Sequence, residues 1–414
     1  MKKFLCGMLA LLMCGMTAGC GSSGTADIGT DPALSESTEP IEALYSVEEI
    51  SGSSFNTAFL KEIAKKKDNF VISPLSVKLA LNMAALGARS ETEKELLTVF
   101  GYGSAEDMIS DSRTLVSGLD RKDGSIKVNN SVWMSDKDGV KISSEYVKAL
   151  SDIFNAELFE KDLSGKKIVK EFNKWVNKNT KGLIPEMISK PFDGDTRLLL
   201  VNTLYFKNDW ESPFPEENSH EFKFCGVKRE NFTMFMDIEW KFEYAEGNSL
   251  KSVVLPYEDG SRMKVYLPVN EDDMLGDIIE KLSPAELDKE LDPDYSTRDV
   301  YISMPRFECE YNESLRDTLK LLGISSAFDM FTADFSGMID DPDHPLYISD
   351  VIHASKIKCG EKGTEASAAT VVVAADGGAL PPKDQVYFIA NRPFLYVIES
   401  PSGEVLFMGI ISDF

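Results

Sequence analysis

The residue types that could catalyse hydrolysis are present, but their spacing does not form a recognisable active site. The chain has three histidines, His220, His344 and His353, and no G-x-S-x-G turn that would expose a nucleophilic serine. It also lacks an H-E-x-x-H metal motif and a Walker A sequence. His353 lies in an apolar strand-like pattern, which favours a buried, hydrogen-bonded imidazole over a general base. The sequence therefore predicts no enzyme, no metal site and no cofactor.

The cysteines do not suggest a metal site or a disulfide framework either. Three of the six lie within the first twenty residues, and the others, Cys225, Cys309 and Cys359, are widely separated without a C-x-x-C pair. We expect these three to be buried as small hydrophobic side chains.

The overall composition limits the possible partners. The 414-residue chain is 43% hydrophobic, which permits a large core, and its formal net charge is -24. A nucleic-acid-binding protein needs a basic surface, so no nucleic-acid partner is expected.

One stretch, residues 356–382, has a composition that is unusual for any buried element. It begins as an alternating strand and ends in a loop rich in glycine and proline, and between them lies GTEASAATVVVAA. These side chains are small or β-branched, carry one charge at Glu365 and show no helical spacing. A segment of this kind would aggregate if it were left exposed as a strand edge. The pattern predicts a segment that can become a strand.

This stretch and several others resemble the serpin family. The resemblance covers about residues 54–414 and rests on NFVISPLSV, LLLVNTLYFKNDWESPF, MPRFECEYN, VIHASKIKCGEKGTEA and RPFLYVIESPSGEVLFMG, in the family's order. It implies an α+β fold with a large, mostly antiparallel central sheet, helices and an exposed reactive-centre loop at about 361–385. The loop would be bait for a target serine protease, which forms a covalent acyl complex before the cleaved loop inserts into the sheet.

The resemblance also implies roles for particular residues. The proximal hinge of the loop would enter the sheet first, a polar "shutter" would lie beneath the strands that separate, and a "breach" would mark the point of entry. The implied hinge residues are Glu361, Gly363, Thr364, Glu365, Ala366, Ser367, Ala368 and Ala369; the shutter residues are Ser73, Ser76, Asn202 and His353; the breach residues are Trp210 and Arg306, with Arg306 paired to Glu361.

The position of the scissile bond depends on how it is counted. Counting thirteen residues from Thr364 (377 − 364 = 13) gives Gly377, whereas counting back from the RPF motif gives Pro382. The hinge count sets the length of the inserted strand, so we predict cleavage at Gly377-Gly378. The neighbouring residues are Ala374, Ala375 and Asp376, and no Arg or Lys lies between Thr364 and Lys383. Small side chains favour an elastase-like or subtilisin-like target.

The N-terminus is typical of an exported bacterial protein. Residues 1–20 have two lysines, an apolar run and small residues, as in a signal peptide. Thr17-Ala18-Gly19-Cys20 resembles a lipobox, in which Cys20 would be lipidated, although ordinary cleavage remains open because Thr17 replaces the usual Leu. Residues 21–48 resemble a flexible acidic tether. We expect an extracellular protein, secreted or lipid-anchored at the bacterial cell surface, with no other membrane contact.

Residues 49–414 are predicted to form one domain, with helices mainly in the first third. A buried helix is predicted to begin after the cap Ser73, with Pro74 at its first position, and to end at Gly87. A capping box at Ser90 to Glu93 predicts the start of a second helix. The pattern at 164–182 predicts a helix that buries Ile168, Phe172, Trp175 and Val176, which the resemblance places across the main sheet. Strands are predicted at 125–135, through 238–268, and as single strands at 198–206, 217–224 and 300–311, with a hairpin around 400–403.

Two functions compete. The first is a monomeric suicide-substrate inhibitor of serine proteases; the alternative is a non-inhibitory serpin that acts as a binding or carrier protein. Non-inhibitory members tend to have charged or bulky hinge residues, and the small hinge of this chain favours the inhibitor.

Overall fold

The computed structural model describes residues 41–52, 54–119, 125–137, 139–341, 344–364 and 384–414. Several predicted sites lie outside these residues: the signal peptide with Cys20 and most of the tether, the hinge residues Glu365, Ala366, Ser367, Ala368 and Ala369, and the scissile-bond residues Ala374, Ala375, Asp376, Gly377 and Gly378.

Helices dominate the first part of the described chain and strands the rest, which confirms the α+β prediction. The helices are α1 Ser54–Ala64, α2 Pro74–Ala85, α3 Ser90–Val99, α4 Ala105–Leu119, α5 Ser144–Phe154, α6 Lys167–Asn179, α7 Leu275–Lys281, α8 Pro284–Leu291 and α9 Arg316–Leu321. The strands are β1 Phe70–Ile72, β2 Ile126–Ser135, β3 Glu157–Lys161, β4 Leu198–Phe206, β5 Asn208–Asp209, β6 His220–Cys225, β7 Glu230–Glu246, β8 Leu250–Pro256, β9 Arg262–Pro268, β10 Ser296–Pro305, β11 Phe307–Ser314, β12 Ile348–Gly360, β13 Gly363–Thr364, β14 Val386–Ile389, β15 Phe394–Glu399 and β16 Val405–Ile411.

The strands form two sheets. A nine-stranded sheet has the order β1-β16-β15-β9-β8-β7-β10-β14, with β6 beside β7. A seven-stranded sheet has the order β3-β2-β4-β12-β13-β5, with β11 beside β12. Strand β4 is buried along its whole length, as its continuous apolar sequence predicts.

The seven-stranded sheet is covered on both faces. Helix α6 buries Ile168, Phe172, Trp175 and Val176 against side chains of β2, β4 and β12, so the predicted helix lies across these strands. The opposite face joins the main core, in which α2 contacts β4 and β16. As predicted, Ser73 caps α2 by accepting a hydrogen bond from the Ser76 backbone N–H, with Pro74 as the first helical residue.

Three local predictions were wrong. Ser90 is the first residue of α3, with φ of 55°, and its hydroxyl bonds to Asp334 instead of capping the helix. The predicted single strand 300–311 is divided at Arg306 into β10 and β11, which join different sheets. Cys225 is exposed, because it ends β6 near the hairpin that leads into β7, whereas Cys309 and Cys359 are buried as expected.

No helix in the described ranges is both long and apolar enough to cross a membrane.

Candidate functional site: a parted sheet and its entry point

The two central strands of the seven-stranded sheet separate along their length. Strands β4 and β12 run parallel and pair from Ile348↔Leu198 to Ile352↔Val201. Beyond this point β4 continues to Phe206 and β12 to Gly360, each still paired on its outer side with β2 or β11. Among the described residues, nothing pairs with the facing edges of Asn202–Phe206 and His353–Lys358. The sheet therefore has an opening the width of one strand.

The chain begins to fill this opening from its wide end. After β12 it reverses, and Gly363 and Thr364 form β13, which pairs with Gly360 and Cys359 on one side and with Asp209 and Asn208 on the other. Both pairings are antiparallel. The first residues of the predicted hinge thus already occupy the missing strand position.

Thr364 points into the core. Thr364 is 1% exposed, and its hydroxyl lies 2.5 Å from the hydroxyl of Tyr257. Gly363 adopts φ of 152°, and a Cβ atom there would lie 2.1 Å from the carbonyl oxygen of Asn208. The strand can therefore approach β5 this closely only with glycine at this position.

Trp210 and its neighbours hold the reversal of the chain in place. The Trp210 backbone N–H donates to the Lys362 carbonyl at 2.8 Å, and its indole Nε1 donates to the Gly360 carbonyl at 2.9 Å. The indole also stacks on Tyr257, with ring centroids 4.3 Å apart and planes at 17°. The predicted breach residue thus contacts both sides of the point where β13 starts.

Glu361 is fixed in the same turn by two donors. Arg306 Nε and the Ser219 hydroxyl each lie 2.5 Å from its Oε1 atom, and Arg306 also forms an ion pair with it. Burial opposes ionisation of Glu361, but these hydrogen bonds outweigh it and lower the pKa of the carboxyl. The Phe214 backbone N–H also donates to the Glu361 carbonyl, so the turn is held by backbone and side-chain bonds together.

At the narrow end of the opening, His353 contacts Ser73. The His353 Nε2 atom accepts a hydrogen bond from the Ser73 backbone N–H at 3.0 Å, so we assign the proton to Nδ1. Complete burial lowers the pKa of His353 to about 3, which keeps the imidazole neutral. Ser355 donates to the Val71 carbonyl at 2.6 Å beside it. His353 therefore tethers β12 to the start of α2.

Asn202 is held separately from His353. Its Nδ2 atom donates to Asn130 Oδ1 at 2.5 Å, and Asn130 in turn donates to the Phe154 carbonyl at 2.9 Å. The structure thus joins Ser73 with His353 and Ser76, but connects Asn202 to β2. Within the described part of the chain, four buried polar atoms beside this cluster and along the β4–β5 edge have no hydrogen-bond partner: Ser76 Oγ, Asn202 Oδ1, Thr203 Oγ1 and Asn208 Nδ2.

Four residues of the site escaped the sequence analysis: Asn130, Ser219, Tyr257 and Ser355. Asn130 had the same signal as Asn202, a polar amide inside an apolar strand pattern. Ser219 and Tyr257 lie in segments whose local pattern does not show that they reach the entry point, because that contact depends on tertiary packing.

Acidification should destabilise the fold through His353. The unfolded imidazole takes up a proton below about pH 6.5, whereas the folded one does so only at about pH 3. The stability that depends on neutral His353 is thus complete above pH 6.5 and lost as the pH falls, by about 2 kcal/mol at pH 5. Burial raises the pKa of Asp350 to about 6, so this carboxyl takes up a proton in the folded state before it does in the unfolded state. Asp350 therefore raises the stability of the fold as the pH falls from 7 to 5, which opposes the effect of His353.

The measurement is therefore made in an Asp350→Asn background. Denaturant unfolding at pH 7, 6 and 5 should show stability falling with pH, and adding His353→Asn should flatten this dependence. If the free energy of unfolding depends on pH equally in both proteins, His353 is not the cause of that dependence.

Comparisons with known proteins agree with this geometry. The family model described as "Serpin (serine protease inhibitor)" matches residues 51–414. The chain is 32% identical to the leukocyte elastase inhibitor of Xenopus tropicalis over 356 residues, covering 83% of this chain and 93% of the relative. It is 31% identical to neuroserpin of Mus musculus, covering 84% and 86%. The crystal structure of the thermophilic serpin tengpin in the native state superposes with a TM-score of 0.79 at 26% identity, covering 93% of this chain and 96% of tengpin.

Proposed function

The chain belongs to the serpin family, and from this premise we propose that it inhibits serine proteases as a suicide substrate. The protease attacks the loop and forms an acyl-enzyme with the residue before the scissile bond, which we place at Gly377-Gly378. The released loop then inserts between β4 and β12 before the acyl bond is hydrolysed. The observation that carries this proposal is the parted sheet, with Gly363 and Thr364 already paired in its opening.

The observed pairing sets the register of further insertion. Thr364 pairs with Cys359 and Asn208. Six residues further on, position 370 would lie level with residue 353 (359 − 6) and residue 202 (208 − 6). Residues 365–370 would thus fill the opening without breaking an existing pair. From residue 371 onward, insertion must replace the β4–β12 pairs that end at Ile352↔Val201.

The sequence of the hinge suits this register. Because side chains alternate along a strand, Ala366, Ala368 and Thr370 would face the core side with Thr364. The small alanines can enter where the core has little room, and the Thr370 hydroxyl would lie level with Asn202, whose Oδ1 atom has no partner. On the other face, Glu365 would lie level with Lys358 (359 − 1) and Lys207 (208 − 1). The one charge within residues 364–370 would thus lie level with two lysines, of which Lys358 also pairs with Glu308.

A panel of serine proteases tests the proposal. Elastase-like or subtilisin-like enzymes should form a 1:1 adduct that survives denaturing gels, and mass spectrometry should find a released peptide that begins at Gly378. Cleaved inhibitor with fully active enzyme across the panel would overturn the proposal and favour the non-inhibitory binding or carrier function.

We also propose that the protein acts as an extracellular monomer, not as an enzyme, and that it is anchored at the bacterial surface through lipidated Cys20. Cys20→Ser should then abolish fatty-acid labelling and move the protein out of the membrane fraction. Unchanged fractionation would exclude this anchor.

A further inference from the structure

A carboxylate lies almost buried on the outer face of the nine-stranded sheet. Asp237 in β7 is 8% exposed, and its Oδ1 atom has no hydrogen-bond partner among the residues that the structure describes. The inner face of the same strands belongs to the main core, in which Ile238 and Ile302 are buried. Because a buried carboxylate oxygen without a donor costs free energy, this oxygen marks a place where a donor from outside the chain could bind.

The other oxygen of Asp237 is held by side chains of two neighbouring strands. The Tyr301 hydroxyl in β10 donates to Asp237 Oδ2 at 2.5 Å, and His220 Nδ1 in β6 lies 3.4 Å from the same atom. Burial and the hydrogen bond to Asp237 raise the pKa of Tyr301, so its hydroxyl stays protonated as a donor. These contacts fix the carboxylate and leave Oδ1 as its remaining acceptor.

Aromatic rings flank this carboxylate. Tyr301 pairs in register with Tyr387 of β14, and their ring centroids are 5.7 Å apart. The His220 ring lies 5.8 Å from the ring of Phe222. Tyr387 is 53% exposed and the His220 side chain is 45% exposed, so both rings present surface to an incoming group. The face of an aromatic ring attracts cations, and the carboxylate between these rings would attract the same ligands.

A second carboxylate makes the site more negative. Side chains alternate along a strand, so Glu239 lies on the same face as Asp237, in register with Tyr301. Glu239 is exposed, and the net charge of -24 favours the approach of cations from a distance. We propose that this cluster is a binding site for a guanidinium or alkylammonium group, with Asp237 as its counter-ion. The side chains that would surround the cation are Asp237, Glu239, Tyr301, Tyr387 and His220.

A guanidinium group fits this cation site best. It is planar and has several N–H donors, so one N–H can donate to Asp237 Oδ1 while the plane stacks on the exposed ring of Tyr387. The Oδ1 atom is covered in the free protein, so a half-exposed ring must turn aside to admit the donor. Rotamer changes of such surface side chains take only picoseconds to nanoseconds. The cation could be a small free molecule or the side chain of an arginine or lysine in another protein.

Ligand-detected NMR with methylguanidinium tests the cation site without a protease. The wild-type protein should bind methylguanidinium saturably at constant ionic strength, whereas methylurea, which has a similar shape and no charge, should not bind. Asp237→Asn should weaken binding by about tenfold or more, because it removes the charge and keeps the shape of the side chain. Tyr387→Leu should weaken binding about two- to fivefold, because it removes an exposed cation–π contact. It leaves the bond between Tyr301 and Asp237 intact, so it serves as the test if Asp237→Asn does not fold.

Asp299→Asn is the matched control. Asp299 lies on the same face of the sheet, but in register with Lys241, so its loss should change the affinity by less than about twofold. If the wild-type protein shows no saturable binding, or binds methylguanidinium as well as Asp237→Asn does, the proposal is wrong and water satisfies Asp237 Oδ1.

A short peptide separates the two sources of the cation. Acetyl-Gly-Arg-Gly-amide presents a guanidinium group as a protein would, and acetyl-Gly-Gln-Gly-amide is its uncharged counterpart. Displacement of methylguanidinium by the arginine peptide alone would support a site that accepts a side chain of a partner protein. Binding of methylguanidinium without displacement by either peptide would support a site for small free cations. These measurements use no protease, so they do not depend on whether the inhibitory function is correct.

Discussion

Cutting the loop between Ala374 and Gly378 with a non-target protease should raise the melting temperature of the protein by an amount on the order of 10 °C or more. The cut frees the loop to continue from Thr364 into the opening between β4 and β12. Six residues, 365–370, fit there in the register set by Cys359↔Thr364. Each adds backbone hydrogen bonds worth a net ~0.5–1.5 kcal/mol, and the buried polar atoms at Asn202 and Thr203 come beside a new strand.

Calorimetry of nicked and intact protein measures this gain. The matched control is a nick at the same position in Thr364→Arg, whose loop should not enter and whose melting temperature should therefore change little. If the nicked wild-type protein melts at the same temperature as the intact protein, or at a lower one, the cut loop does not complete the sheet.

The sequence predicted those parts of the fold whose local pattern and tertiary environment agree. The helix after Ser73 has its cap and its first-turn proline in the sequence, and both act as expected. Gly87 follows the end of the helix, but it does not have the positive φ of a glycine C-cap. The continuous apolar run of β4 likewise predicts a strand buried on both faces, which the structure confirms.

The wrong predictions came from places where distant residues decide the local structure. Ser90 does not cap the helix, because its hydroxyl donates a hydrogen bond to Asp334 instead. A capping box that the sequence analysis did not single out is present at Ser283 and Glu286, where no competing partner intervenes. The division of 300–311 at Arg306 follows from the two sheets that its halves join, which no pattern within twelve residues can show.

The candidate site was predictable as a set of residues but not as a geometry. The family resemblance points to Ser73, His353, Trp210 and Glu361 individually. It does not show that Gly363 and Thr364 already pair in the sheet, or that Asn202 bonds to Asn130 instead of His353. These facts depend on how far two strands have separated, and strand separation leaves no periodic signal in a sequence.

Thr364→Arg should convert the inhibitor into a substrate. The wild-type side chain is 1% exposed and contacts the Tyr257 hydroxyl, so an arginine there would have to leave the sheet or be buried without a partner. Burial of an unpaired charge costs several kcal/mol. That cost falls on insertion and not on recognition, because position 364 lies thirteen residues from Gly377 (377 − 364 = 13). The same protease should therefore cut the same bond, and hydrolysis of the acyl-enzyme should outrun insertion.

The measured quantity is the number of inhibitor molecules consumed per protease inactivated. It should rise from near one in the wild type to a value limited only by the assay in Thr364→Arg. Ser367→Arg is the matched control, because alternation would place its side chain on the other face, level with Lys356 (359 − 3). Lys356 and Lys358 are paired with Glu308 and Glu310, and these side chains are partly exposed. An added arginine would therefore face balanced, hydrated charges instead of the core and should be tolerated far better than at position 364. An unchanged ratio in Thr364→Arg, or equal loss of inhibition in both variants, would mean that the hinge does not enter the sheet with Thr364 facing the core.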